Sequence, residues 1–133
     1  MLTQSSKQLL IISICLFFFL QSFSQSDKTI IGTWKGTSIC QVKNSPCHDE
    51  TAVYHIYAGK TPGSFYIQAN KIVDGAEDDM GTLEATYDSS KHLLTAHFRE
   101  NDLWEFKITG DEMDGTLIVN KTLYRIVNLK KQN

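Results

Sequence analysis

Beyond residue 24, this 133-residue chain lacks a long apolar run, an excess of one charge and a sustained helical periodicity. Without an apolar run, this part offers no segment that could span a bilayer as a helix. All fifteen Asp and Glu residues lie there, with every Lys and Arg except Lys7. Because the charges are mixed and no basic stripe occurs, nucleic acid is not an expected partner. The missing 3.6-residue period argues against long helices and favours strands.

The first 24 residues have the layout of a secretory signal peptide. One basic residue, Lys7, precedes an apolar run over residues 9–20, and small residues end the segment at Ser24. An apolar run of twelve residues reaches only about 18 Å as a helix, short of the roughly 30 Å hydrocarbon core. We therefore predict cleavage after Ser24, and a secreted or periplasmic domain over residues 25–133. The alternative is an uncleaved membrane anchor.

Cysteine is scarce, and its placement predicts one disulfide. Cys15 lies in the predicted signal peptide, so the exported chain keeps Cys40 and Cys47. In an oxidising compartment a nearby pair usually forms a disulfide, here one that joins the hairpin between the first two strands. Closing this short loop should contribute about 2.5 kcal/mol. The alternative, a metal site using both thiolates and His48 with Asp49 or His55, would be lost on oxidation. We predict no metal and no cofactor.

From residue 33 onward, short segments with two-residue alternation are separated by turn residues. Asn, Asp and Gly in the breaks tolerate the positive φ that tight hairpin turns need. Connections this short make neighbouring strands antiparallel. Closure hides the two edge strands, so an all-β, single antiparallel up-and-down barrel of about eight strands is predicted in preference to a sandwich. The predicted strands are 33–41, 50–57, 64–73, 81–87, 92–99, 102–109, 112–119 and 122–129.

Two short motifs stand at the ends of the predicted barrel: Gly32-Thr33-Trp34 in the first strand and Arg125 in the last. This combination resembles the calycin superfamily of lipocalins and fatty-acid-binding proteins, and most of all small secreted bacterial lipocalin-like proteins. In that superfamily the tryptophan plugs one end of the barrel and the arginine packs across it. The resemblance therefore implies a lipocalin-like barrel in which Trp34 and Arg125 form a cation–π pair.

The barrel interior is the main candidate for a binding site. Eight strands enclose a lumen that is either filled by side chains or wide enough for one small ligand. Large apolar residues favour a packed interior and small ones leave room, so the sequence leaves both alternatives open. The residues expected to line the lumen are Ser38, His55, Ala85, Ala96, Phe98, Trp104 and Phe106.

The sequence contains no set of residues that indicates catalysis. We find no nucleophile elbow, no phosphate-binding glycine loop and no carboxylate pair spaced for acid–base chemistry. The acidic segment over residues 74–81 lacks the ligand spacing of an EF-hand calcium loop, and we predict a solvated loop there. We therefore expect a binding protein rather than an enzyme.

Two binding functions fit these observations. The first is an exported barrel that holds a small apolar or amphipathic ligand, which follows from the resemblance. The second is a barrel that binds a secreted protein. Small exported barrels with a disulfide near the first hairpin resemble bacterial protease inhibitors, whose free N-terminal segment enters the target's cleft. Residues 25–29 would be that segment here, polar and flexible. In either case we expect a monomer.

Overall fold

The structure, a computed structural model, describes residues 25–133; the predicted signal peptide lies outside the described residues. Within them, one short helix precedes eight antiparallel strands that form a closed barrel in chain order. The last strand pairs with the first, which confirms the predicted up-and-down barrel. No helix in this part of the chain is long and apolar enough to cross a bilayer. The elements are α1 (Gln25–Ile30), β1 (Gly32–Cys40), β2 (Glu50–Ala58), β3 (Ser64–Val73), β4 (Ala76–Asp88), β5 (Leu93–Ala96), β6 (Asp102–Thr109), β7 (Glu112–Val119) and β8 (Thr122–Lys131).

Alternate residues of the strands build the core, as the two-residue pattern predicts. In β6, Phe106 and Ile108 are buried, whereas the intervening Lys107 is exposed. Gly115 on β7 lies opposite Phe106, and a Cβ atom there would come within 2.4 Å of the phenyl ring. The missing side chain therefore makes the space that Phe106 fills. The largest fully buried side chains are Trp34, Phe106, Ile30, Ile56, Ile67, Leu94, Met113 and Val127.

Helix α1 covers one end of the barrel, which we call the sealed end. Ile30 is fully buried, and its carbonyl oxygen accepts a 2.9 Å hydrogen bond from Trp34 Nε1. Lys131 Nζ donates to the carbonyl oxygen of Thr29 and lies 5.6 Å from the centre of the Trp34 ring. The opposite end, which we call the open end, carries the β1–β2 connection and the loop between β5 and β6.

The acidic segment between β3 and β4 is not a loop, so that prediction was wrong. Asp74 and Gly75 alone form the turn, with φ of 51° and 81°, and β4 begins at Ala76. Two consecutive residues at positive φ give the tight hairpin turn whose twist matches that of the flanking strands. The acidic residues that follow pair with β3, for example Glu77 with Ile72.

β5 is shorter than predicted and ends at Ala96. The next residues leave the sheet because they bond to one another: Asp102 N–H donates to the Arg99 carbonyl at 3.1 Å, and His97 Nδ1 donates to the Asp102 carbonyl at 2.7 Å. Phe98 therefore does not continue the inward face of β5. Its side chain is 58% exposed.

Candidate functional site

The open end of the barrel contains a cup of about 170 Å³. It lies between the core and solvent, and residues from seven of the eight strands, all except β5, line it. One side carries hydrogen-bonding and charged groups, and we call it the polar side. The other, which we call the apolar side, is apolar except for Asp102, whose carboxylate accepts a hydrogen bond from Arg99. Tyr54 lies between the cup and the core, where its ring makes a T-shaped contact with Phe106 at 6.0 Å.

Arg125 organises the polar side. Its Nη1 donates 3.1 Å hydrogen bonds to Ser38 Oγ and to the carbonyl oxygen of His48, and it lies 3.5 Å from Glu50 Oε2. Lys71 Nζ lies 3.8 Å from the other carboxylate oxygen of Glu50. Only 13% of the Arg125 side chain and 9% of the Glu50 side chain are exposed, so the ion pair is largely removed from bulk water. Electrostatic interactions are stronger in such a place than at an open surface.

The β1–β2 connection covers this ion pair from outside, and the predicted disulfide is present within it. Cys40 and Cys47 are bonded across a Cα–Cα distance of 5.9 Å. Asp49 Oδ1 also accepts a 2.9 Å hydrogen bond from Cys40 N–H. These two links fix both ends of the short segment that presents the His48 carbonyl to Arg125. The disulfide occupies both sulfur atoms that the alternative metal site would have used.

Hydrogen-bonding capacity is left over on the polar side. No described residue donates a hydrogen bond to Glu50. The nearest nitrogen atoms of Arg125, Lys71 and His48 lie 3.5, 3.8 and 3.9 Å from its carboxylate oxygens. Among the described residues, Arg125 Nε and Nη2 and the Tyr54 hydroxyl also have no hydrogen-bond partner. Burial raises the pKa of Tyr54 well above its usual value, while Arg125 opposes this shift and Glu50 adds to it. The phenol is therefore a neutral group that can donate and accept.

Trp104 dominates the apolar side. Its indole is stacked on Phe106 with a ring separation of 5.6 Å and an interplanar angle of 8°. Phe106 is fully buried and covers one face of the indole, and Trp104 also lines the cup. Ala69, Leu83 and Leu117 complete this side.

The mouth of the cup is apolar and partly exposed. Phe98 and Met80 both line it, with 58% and 40% of their surface open to solvent. The Arg99 guanidinium lies 5.7 Å from the centre of the Phe98 ring, and its Nε donates to Asp102 Oδ2 at 3.2 Å. These contacts hold the β5–β6 loop beside the opening.

The residues predicted to line the lumen separate into three groups. Ser38 and Trp104 line the cup, and Phe98 lies at its mouth. Ala85, Ala96 and Phe106 belong to the packed core below it. Among the described residues, the lumen is therefore filled next to the sealed end, and the cup lies at the open end.

His55 is on the outer face, so its assignment to the lumen was wrong. Its neighbours Tyr54 and Ile56 belong to the core, and alternation turns His55 outward. Thr33 Oγ1 lies 3.0 Å from Nδ1, and Nε2 donates to Glu77 Oε2 at 2.7 Å. The hydrogen bond from His55 is the main cause of the lowered pKa of Glu77.

The expected pairing of Trp34 with Arg125 is also wrong. In the β1–β8 register Trp34 faces Lys131, whereas Arg125 faces Cys40. The two partners thus lie six residues apart along β1, about 20 Å at the rise of a strand. Trp34 closes the sealed end with Lys131 as its cation, and Arg125 belongs to the cup at the open end.

The prediction from the sequence missed Glu50, Tyr54 and Ala69 as cup residues. For β2 a signal existed: Glu50, Ala52 and Tyr54 share one face of the predicted strand. A glutamate on the same face as core residues indicates a buried charge that needs a partner.

These features define the class of protein: an eight-stranded up-and-down barrel with one sealed end and one cupped end, consistent with a lipocalin-like barrel. Comparison with the models of known protein families and with the sequences of curated proteins gives no match. Membership of the calycin superfamily stays a prediction.

Proposed function

We propose that this chain is an exported binding protein whose cup takes a small amphipathic ligand. The observation that supports it is the cup itself, in which an apolar side faces a largely buried ion pair across about 170 Å³. Concave sites with mostly apolar walls and a few convergent polar groups are typical of small-molecule binding. Neither side alone would select an amphipathic compound, but both together would.

The volume sets the size of the ligand. Sites for drug-sized molecules measure about 300–1,000 Å³, whereas a cavity of about 150 Å³ holds benzene. A cup of about 170 Å³ therefore suits one ring or a short chain. A long acyl chain would not fit inside the cup, and its remainder would have to extend through the mouth past Phe98 and Met80. The filled core below Tyr54 gives it no further room.

Export is the second part of the proposal. The leader-like sequence over residues 1–24 supports it. The Cys40–Cys47 disulfide supports it independently, because disulfides persist in oxidising compartments such as the periplasm and the extracellular space.

A matched pair of variants tests the binding proposal. Ala69→Leu adds three carbon atoms inside the cup, and Ala58→Leu adds the same atoms at an exposed position at the far end of β2. Indole, benzoate and palmitate serve as probes, with binding followed by native mass spectrometry and protein NMR. We expect at least one ring-sized probe to bind the parent and Ala58→Leu, and to bind Ala69→Leu at least tenfold more weakly. Absence of binding by every probe, or equal binding by all three proteins, would contradict the proposal.

A second candidate is a barrel that binds a secreted protein, as in a protease inhibitor. The exposed Phe98 and Met80 at the mouth favour it, because an apolar rim around a ring-sized cup suits an aromatic anchor from a partner. An N-terminal insertion mechanism would first require α1 to leave the sealed end, where Ile30 is buried. Titration against purified secreted proteases tests it: stoichiometric inhibition that Phe98→Asp abolishes is the expected result. A panel without inhibition counts against it.

A further inference from the structure

We propose that the ligand of the cup is a planar ring with a cis-amide edge, in which a carbonyl acceptor lies beside an N–H donor. Lactams and several nucleobases carry this edge. The inference rests on the proposed function, since it requires that the cup bind a small molecule. It goes further because it assigns the chemistry of the ligand to particular groups on the two sides of the cup.

The Glu50 carboxylate has unused capacity to accept hydrogen bonds. Its side chain is only 9% exposed and lines the cup, yet no described residue donates a hydrogen bond to it. Neither Glu50 oxygen is a fully buried atom without a hydrogen-bond partner, so both are open to the cup, and a hydrogen bond to a largely desolvated carboxylate is stronger than one at an open surface. A ligand that offers an N–H group to Glu50 would therefore gain more from this position than from an exposed carboxylate.

Beside Glu50, the Arg125 guanidinium has unused hydrogen-bond donors. Arg125 uses Nη1 for Ser38 and His48, and its Nε and Nη2 make no hydrogen bond to any described residue. Arg125 Nη1, which these two acceptors occupy, lies 3.5 Å from Glu50 Oε2, so the guanidinium that carries the two free donor nitrogens is next to the Glu50 carboxylate. A ring edge with an acceptor beside a donor can therefore reach both groups. The Tyr54 hydroxyl, also without a partner in the described part of the chain, can complete either bond.

Two simpler kinds of ligand, a carboxylate and a pure hydrocarbon, fit the cup less well. A carboxylate ligand would pair with Arg125 but would bring a second negative charge next to Glu50, with Asp102 also lining the cup. A pure hydrocarbon would displace water from Glu50 and Arg125 without replacing any hydrogen bond. A neutral edge with one donor and one acceptor satisfies both groups.

The Trp104 indole and the cup volume determine the shape of the ligand. Trp104 already forms one stack with Phe106, and it also lines the cup. A planar ring lying against the other indole face would extend this stack by one layer. The volume of about 170 Å³ limits the ligand to about one such ring.

The test compares probes that differ by one group. 2-Pyridone has the cis-amide edge, N-methyl-2-pyridone has the same ring without the donor, and benzoate has the carboxylate. Dissociation constants are measured by NMR titration of the disulfide-bonded residues 25–133. We expect 2-pyridone to bind at least tenfold more tightly than either of the others.

Variants assign the contact. Glu50→Gln should weaken the binding of 2-pyridone about tenfold and leave the binding of benzoate unchanged or tighter. The control, Glu112→Gln, lies at an exposed ion pair near the sealed end and should change the binding of neither probe. If Glu50→Gln does not fold, the comparison of 2-pyridone with its N-methyl analogue still decides the question. Tighter binding of benzoate, or equal binding of both pyridones, would overturn the inference and leave the proposed function standing. Failure of all three probes would count against both.

Discussion

Gly36 offers the sharpest test of barrel closure. It lies in β1 opposite Leu129 of β8, and a Cβ atom there would come within 2.0 Å of the Asn128 carbonyl oxygen. Ordinary Cβ contacts lie at 3.4–4 Å, so Gly36→Ala creates an overlap with backbone that no side-chain rotation can relieve. The seam between β1 and β8 must separate. Overpacking in well-packed cores costs about 1–3 kcal/mol, and a clash with backbone should reach at least the upper limit.

A loss of about 3 kcal/mol is a large part of the roughly 5–15 kcal/mol that stabilise a domain. At about 4–8 °C per kcal/mol, Tm should fall by about 12–24 °C, as followed by circular dichroism. The control is Thr37→Ala, which changes an exposed residue of the same strand and should cost no more than about 1 kcal/mol. If Gly36→Ala melts within a few degrees of this control, β1 and β8 do not approach as described.

Three further predictions concern the disulfide, the outer face and the core. Replacing Cys40 and Cys47 together by serine should lower the free energy of unfolding by about 2.5 kcal/mol in urea titrations, and an unchanged value would contradict the loop-closure argument. His55→Ala should raise the pKa of Glu77 towards its usual value of 4.5 in an NMR titration. Because folding lowers the pKa of Glu77, the stability that Glu77 contributes is present above its usual pKa and is lost as pH falls through the lowered pKa. His55→Ala should weaken this acid dependence. An unaltered Glu77 titration would refute the role of the His55 hydrogen bond. Phe106→Ala should lower the free energy of unfolding by about 3–5 kcal/mol in the same urea assay, and a decrease below about 1 kcal/mol would place the ring outside the core.

The strands could be predicted because each carries its own signal. The turn residues Asp74, Gly75 and Asn120 adopt the positive φ that their residue types favour or tolerate. The errors lie where local composition and pairing disagree. The acidic residues from Glu77 onward have low strand propensity, yet the tight turn before them brings them into register with β3. Pairing with β3 therefore outweighs the low strand propensity of these residues.

The candidate site was only partly predictable because it depends on which residues face one another across the barrel. Trp34 and Arg125 are both inward-facing, but the register of β8 against β1 sets which end each occupies. That register is a long-range property of closure. The ion pair of Glu50 with Arg125 likewise joins β2 to β8, strands that are not neighbours in the sheet. Alternation in β2 indicates that Glu50 faces inward, but not which cation it meets.

The most direct test of the central claim uses the two tryptophans as reporters of opposite ends. The indole N–H of Trp34 is bonded to Ile30 at the sealed end, whereas Trp104 borders the cup. Two-dimensional ¹H–¹⁵N spectra recorded during a 2-pyridone titration report both indole signals at once. The account predicts a saturable shift of the Trp104 signal with the Trp34 signal unchanged. A shift confined to Trp34, or no shift in either signal, would contradict it.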